Sequence, residues 1–290
     1  SMHVAQEIPN VEAFAVANGM LYMANAEQLS AVNLANNSLD QAQRIDLTPA
    51  SATGPMAIDP VANRLYLARS LNGGWGVDIY EASTLTLRQS YPIENQVRYI
   101  FPTPAGLTII SEQNTDYLVT RLTPTGELAA LPAELGQFYG PIGMAMAPDG
   151  QNLYYGNGQY LDPVAGTAPA LLGLNLDSGQ ETLSLPLTTN VENLIIDSTG
   201  KLAYGLYPYE HHLYQLNLAR KTVGLTATMI QLRDVLVDAA HDRLFVSDSG
   251  NRIRQLDRES LAVLAEAELT GNPADFGFRS ATWGGELALD

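Results

Sequence analysis

The stretch Ala57-Ile58-Asp59-Pro60-Val61-Ala62-Asn63-Arg64-Leu65-Tyr66-Leu67-Ala68 reads as a strand, a turn and a second strand. The plan recurs at Phe14 to Asn25, Met144 to Tyr155, Leu194 to Tyr204 and Val235 to Asp248. Weaker copies sit at Pro104 to Ile110 and at Gly285 to Leu289. The residue after the common leucine marks each copy: Tyr22, Tyr66, Thr108, Tyr154, Ala203, Phe245 and Ala288. The steps between them are 44, 42, 46, 49, 42 and 43 residues. A near-constant period of this length points to a repeat architecture.

A third strand follows each pair, as in Gly76-Val77-Asp78-Ile79-Tyr80-Glu81 and Leu213-Tyr214-Gln215-Leu216-Asn217-Leu218. Apolar and polar residues alternate in these runs, the mark of a pleated surface with one buried face. A polar turn and a fourth strand come next, for example Leu85 to Tyr91. Four strands per unit is the period of a propeller blade, and helical periodicity is nearly absent. The pattern predicts an all-β, seven-bladed β-propeller forming a single domain over residues 1–290. Its first strands would begin near 11, 54, 97, 141, 191, 232 and 273. Residues 3–8 would supply a strand that closes the last blade and removes an exposed edge. The seventh unit provides only two strands, so it is either a three-stranded blade or the end of a module from a longer chain.

The pattern apolar-apolar-Asp-Pro-x-x-Asn-Arg-Leu-Tyr-x-Ala, followed by Val77-Asp78-Ile79-Tyr80-Glu81-Ala82-Ser83-Thr84-Leu85, resembles the YVTN or YncE-like seven-bladed propeller repeat. The resemblance spans about residues 3 to 290. It implies a bacterial or archaeal, usually exported, protein acting in binding or scaffolding. It carries over no catalytic residue, because the repeat motifs are structural. More distant propellers of this type include amine dehydrogenase heavy subunits, lactonases and streptogramin lyases.

Composition narrows the partners. The chain has 15 basic and 31 acidic residues, a formal charge of −16, so nucleic acid is an unsuitable ligand. It has no cysteine, which removes disulfides, thiolate metal sites and thiol nucleophiles. No apolar run is long enough to span a membrane as a helix. The start, Ser1-Met2-His3-Val4, lacks the features of a signal peptide, and a periplasmic or extracellular location then requires a leader already removed.

Asp59, Asp149, Asp197 and Asp238 recur at the turn between first and second strands, where turn capping outweighs metal binding as their reading. Function is expected on the longer loops, which the ring itself does not need. These loops and the junctions between blades supply Trp75, Arg98, Tyr99, Glu112, Tyr139, Tyr160, Tyr207, Tyr209 and Arg233. An aromatic rim with a few arginines suits a protein partner or a small-molecule ligand such as a sugar. His211 and His212 are candidate metal ligands, with Tyr209 and Glu210 beside them. No cofactor is expected apart from a divalent or transition metal at that pair, and the sequence has no spaced His-x-His motif. No Gly-x-Ser-x-Gly or phosphate-binding loop occurs, and a pairing of Glu112 and His211 as base and orienter in a lyase-like site rests on fold analogy alone. The leading expectation is a non-catalytic exported binding or scaffold module at the channel mouth. The alternatives are a redox-partner or metal-binding propeller in electron transfer, and a metal-dependent lactonase or lyase.

Overall fold

A computed structural model describes residues 11–35, 41–48, 52–71, 73–114, 116–137, 143–157, 168–207, 211–229, 232–238, 241–248 and 252–268. They form six sheets of four strands, each an up-and-down meander in sequence order. By contact density the chain falls into two compact units that divide at residues 135 and 136.

The N-terminal unit holds three blades. Blade 1 is β1 (Ala13–Ala17), β2 (Met20–Ala24), β3 (Gln28–Asn33) and β4 (Gln43–Asp46). Blade 2 is β5 (Ala52–Asp59), β6 (Arg64–Leu71), β7 (Gly74–Glu81) and β8 (Thr86–Ile93). Blade 3 is β9 (Gln96–Thr103), β10 (Gly106–Gln113), β11 (Asp116–Leu122) and β12 (Leu128–Gln137). The C-terminal unit holds the other three. Blade 4 is β13 (Met144–Met146), β14 (Asn152–Gly156), β15 (Ala170–Asn175) and β16 (Glu181–Pro186). Blade 5 is β17 (Asn193–Ile196), β18 (Leu202–Tyr207), β19 (His212–Asn217) and β20 (Thr222–Thr228). Blade 6 is β21 (Leu232–Asp238), β22 (Arg243–Asp248), β23 (Arg252–Asp257) and β24 (Val263–Glu268).

The all-β propeller is present, but the described residues form six blades and not the seven that the period predicted. The physical reason lies in what a repeat marker counts. An apolar run such as Gly285 to Leu289 matches one strand, whereas a blade needs four strands with their turns. Six complete blades use the chain from Ala13 to Glu268. The run expected for a seventh blade, 273–290, and the expected closing strand, 3–8, lie outside the described residues.

Alternation explains why blades stack. Tyr66, Val77 and Ile79 of blade 2 pack with Val97, Ile100, Leu107 and Ile109 of blade 3. In the other unit, Leu206 and Leu213 of blade 5 pack with Leu232, Val235, Leu244 and Val246 of blade 6. Both faces of a middle blade are therefore covered. Tyr214 and Leu216 look towards blade 4, while Tyr204 and Leu206 look towards blade 6. Leu65, Leu67, Leu213 and Leu244 are completely buried, and truncating any of them would cost about 2–5 kcal/mol.

The recurrent acids are turn caps. Asp59 Oδ1 accepts from the N–H groups of Val61 and Ala62 at 3.0 and 2.9 Å. Asp149 does the same for Gln151 and Asn152, Asp197 for Lys201 and Leu202, and Asp238 for His241. Asp197 also receives Arg258 at 3.5 Å, which latches blade 5 to blade 6. Gln215 Nε2 strengthens that latch by donating to Arg258 O at 2.7 Å. Among the described residues no helix is long and apolar enough to cross a membrane.

Candidate functional site

The first strands of blades 3, 5 and 6 begin alike. A buried apolar residue comes first: Val97, Val191 and Leu232. A charged residue follows: Arg98, Glu192 and Arg233. After one more residue the core resumes with Ile100, Leu194 and Val235, all buried. In blade 3 the register slips at this point, because Ile110 faces Tyr99 while Ser111 faces Val97, leaving Arg98 as an extra residue. Blade 6 slips in the same way around Arg233. In blade 5 the Glu192 N–H reaches Leu206 O at 2.8 Å, although Leu206 already faces Asn193. Such a bulge removes one side chain from the pleat and re-aims it. Arg98 and Arg233 therefore stand within or beside first strands and not in the loops between blades. In blade 4 Gly143 lies two residues before Ala145, which faces Tyr154 as Phe101 faces Thr108 and Leu236 faces Phe245, so it stands level with Tyr99 and Asp234. A Cβ there would lie 2.9 Å from the backbone carbon of Asn193, so close contact with blade 5 excludes a side chain.

The surroundings of the three charges differ. Arg98 pairs with Glu112 of the neighbouring strand β10, and both side chains are mostly buried. Tyr117 stands opposite Glu112 across β10 and β11. Burial first, and then the Glu112 charge, hold its phenol above the usual value, while Arg98 pulls it down. Tyr99 stacks on Phe101 with ring centres 6.0 Å apart. Trp75 of β7 is half-buried against the core between blades 2 and 3, and its ring lies over Gly54. A Cβ on Gly54 would come within 2.7 Å of the Trp75 ring.

Blades 5 and 6 hold a different arrangement. Their first strands β17 and β21 lie side by side. Asn193 donates to the buried Asp234 across the joint. Glu192 and Arg233 do not bond. Glu192 Oε1 and Arg233 Nε are both shut off from water, and each lacks a hydrogen-bond partner. An unmet buried polar atom costs roughly 1–3 kcal/mol. Burial raises the Glu192 carboxyl from 4.5 to about 7, and the Arg233 charge opposes the rise. Tyr207 follows Leu206 and faces His212 across the next pair of strands. The His212 ring stacks on Tyr214 with centres 5.9 Å apart. The Tyr214 hydroxyl lies 2.7 Å from those of both Thr188 and Thr189. His211 has a φ of 61°, so the backbone turns between the two histidines. Among the described residues no three His, Cys, Asp or Glu side chains converge to hold a metal. Tyr139, Tyr160 and Tyr209 lie outside the described residues.

Glu192 was absent from the residues singled out in the sequence. Its signal was available, because aligning the units on Val97, Val191 and Leu232 places it level with Arg98 and Arg233. What alignment cannot show is that the Arg98 charge is answered within its own blade while that of Arg233 is not.

Six meandering sheets of this kind define the fold. The chain is a β-propeller. It is similar to KlHsv2 with loop 6CD replaced by a Gly-Ser linker, with a TM-score of 0.63 and 9% identity over 91% of this chain and 82% of that one. It is also similar to dihydro-heme d1 dehydrogenase NirN in complex with DHE, with a TM-score of 0.61 and 13% identity. That match covers 88% of this chain and 55% of the other. At such identities the likeness concerns the fold alone, and a propeller fold hosts many unrelated functions. No family model and no curated protein matches the chain.

Proposed function

We propose that this protein is an exported, non-catalytic recognition propeller that binds a small polar ligand at the joined first strands of blades 5 and 6. One observation carries the reading. Glu192 and Arg233 occupy equivalent positions at the starts of successive blades, lie near enough for the Arg233 charge to act on the Glu192 carboxyl, and each keep a buried polar atom unbonded. A ligand that bonds both atoms would recover the cost of burying them. Tyr207 adds an aromatic residue next to Leu206, whose carbonyl accepts from the Glu192 N–H. The strong acidity and scarce lysine agree with an exported protein. The Asp-Pro-x-x-Asn-Arg-Leu-Tyr turn supports kinship with YVTN or YncE-like repeats at the level of the single unit.

The test is a thermal-shift screen of polar metabolites against wild type, Glu192→Leu and Arg233→Met. A compound that raises the wild-type Tm and has no effect on either variant supports the site. Equal shifts in all three proteins, or none in any, would remove it.

A further inference from the structure

We infer that the Glu192–Arg233 site takes an uncharged, polyhydroxylated ligand, a sugar bound through neighbouring hydroxyls. The inference rests on the recognition reading above and names the ligand class. It follows from which ligands could satisfy both buried atoms at once. A bare anion answers Arg233 and is repelled by an ionised Glu192. A bare cation answers Glu192 and is repelled by Arg233. Both atoms are met by a group that presents a donor beside an acceptor and carries no charge. Two adjacent hydroxyls do this, one donating to Glu192 Oε1 and the other accepting from Arg233 Nε, once the two side chains, each only partly buried as a residue, turn these atoms towards the ligand. A chain charge of −16 also disfavours the approach of anions. Tyr207 follows Leu206, whose carbonyl accepts from the Glu192 N–H, so an aromatic residue is available there for the C–H face of a pyranose ring.

The chemistry has a pH signature. A hydroxyl donor needs Glu192 ionised, so sugar affinity rises as the pH passes through about 7. Between pH 6 and 8 the ionised fraction grows about tenfold, which bounds the gain in affinity. A carboxylate ligand would need Glu192 protonated and would weaken over the same range. The charged group that acts on Glu192 is Arg233 from β21, and the chain next to it at Leu206 carries Tyr207 of β18, which pairs with His212 of β19. Asp234 is turned to Asn193. His212→Gln, which leaves Glu192 and Arg233 in place, serves as the control.

Saturation-transfer NMR with D-glucose, D-galactose and D-mannose, alongside glucuronate and succinate, tests the assignment on the full chain. We expect at least one neutral sugar to bind, several-fold more tightly at pH 8 than at pH 6. Glu192→Gln should flatten the pH dependence, and His212→Gln should keep it. Arg233→Met should abolish the signal. Succinate binding that weakens with pH and is lost in Arg233→Met would overturn the sugar assignment while leaving the recognition site standing. Binding by any probe that survives both Arg233→Met and Glu192→Leu would overturn the site itself, as would no binding by all five probes. Circular dichroism on each variant establishes that lost signal is not lost fold.

Discussion

Arg98 and Glu112 pair across the first two strands of blade 3 at the point where their register slips. The bulge lifts Arg98 out of the pleat, and Glu112 gives it a partner within the same blade. The pair is mostly buried, so it should contribute more than a surface ion pair. A double-mutant cycle of Arg98→Ala and Glu112→Ala, measured by urea unfolding, should give a coupling of about 1 kcal/mol. Additive costs would mean that the two side chains do not support each other.

Arg69 and Asp78 are more deeply buried, with side chains 6% and 4% exposed. Arg69 Nε and Nη2 both donate to Asp78 Oδ2, and Nη1 donates to Thr48 O at 2.8 Å. Ser90 donates to the other carboxylate oxygen at 2.6 Å. Breaking this network leaves a charge in the core. Arg69→Met should destabilise the protein by about 3–5 kcal/mol, and adding Asp78→Leu should restore part of the loss. Equilibrium denaturation measures both, and equal stability of single and double variants would contradict the argument.

Glu192 makes stability depend on pH. Its folded value, about 7, lies above the unfolded value near 4.5. Its contribution is therefore complete below about pH 4.5 and is lost as the pH rises through 7. Wild type should lose stability relative to Glu192→Gln between pH 5 and 8. Parallel Tm curves for the two proteins across that range would show that the carboxyl titrates normally.

Gly143 tests the close contact between blades 4 and 5. An added methyl group must displace the Asn193 backbone, which offers no flexible side chain to yield. Gly143→Ala should cost about 1–3 kcal/mol, whereas Gly73→Ala, where an added Cβ meets nothing, should be governed by its φ of 85° alone. Ligand affinity should also fall in Gly143→Ala, because Asn193 adjoins Glu192. Calorimetry with a ligand from the screen would show this, and unchanged affinity would separate the contact from the site.

Asp197 is buried and serves both a turn and a blade joint. It caps Lys201 and Leu202, receives the Thr199 hydroxyl, and holds Arg258 at 3.5 Å. Asp197→Ala should lower stability by about 2 kcal/mol, more than Asp149→Ala at the equivalent but exposed turn. The reverse order in a melting comparison would mean that the joint with Arg258 contributes nothing.

Local chemistry made much of this molecule legible before folding was considered. The alternation in Val77 to Glu81 and in Leu213 to Leu218 dictates strands with one buried face, and Asp59 and Asp197 announce the turns between them. These signals depend on neighbours in the chain, so the sequence alone carries them. The number of blades was not legible in the same way, because an apolar run matches a strand whether or not three others join it. Pairing decided that the described residues form six sheets. The site lay still further from the sequence. Arg98 and Arg233 look equivalent in the repeat, yet one meets Glu112 and the other faces Glu192 without bonding it. Whether a charge is answered depends on which side chains the bulges turn together across strands distant in the chain, and only the tertiary structure settles that.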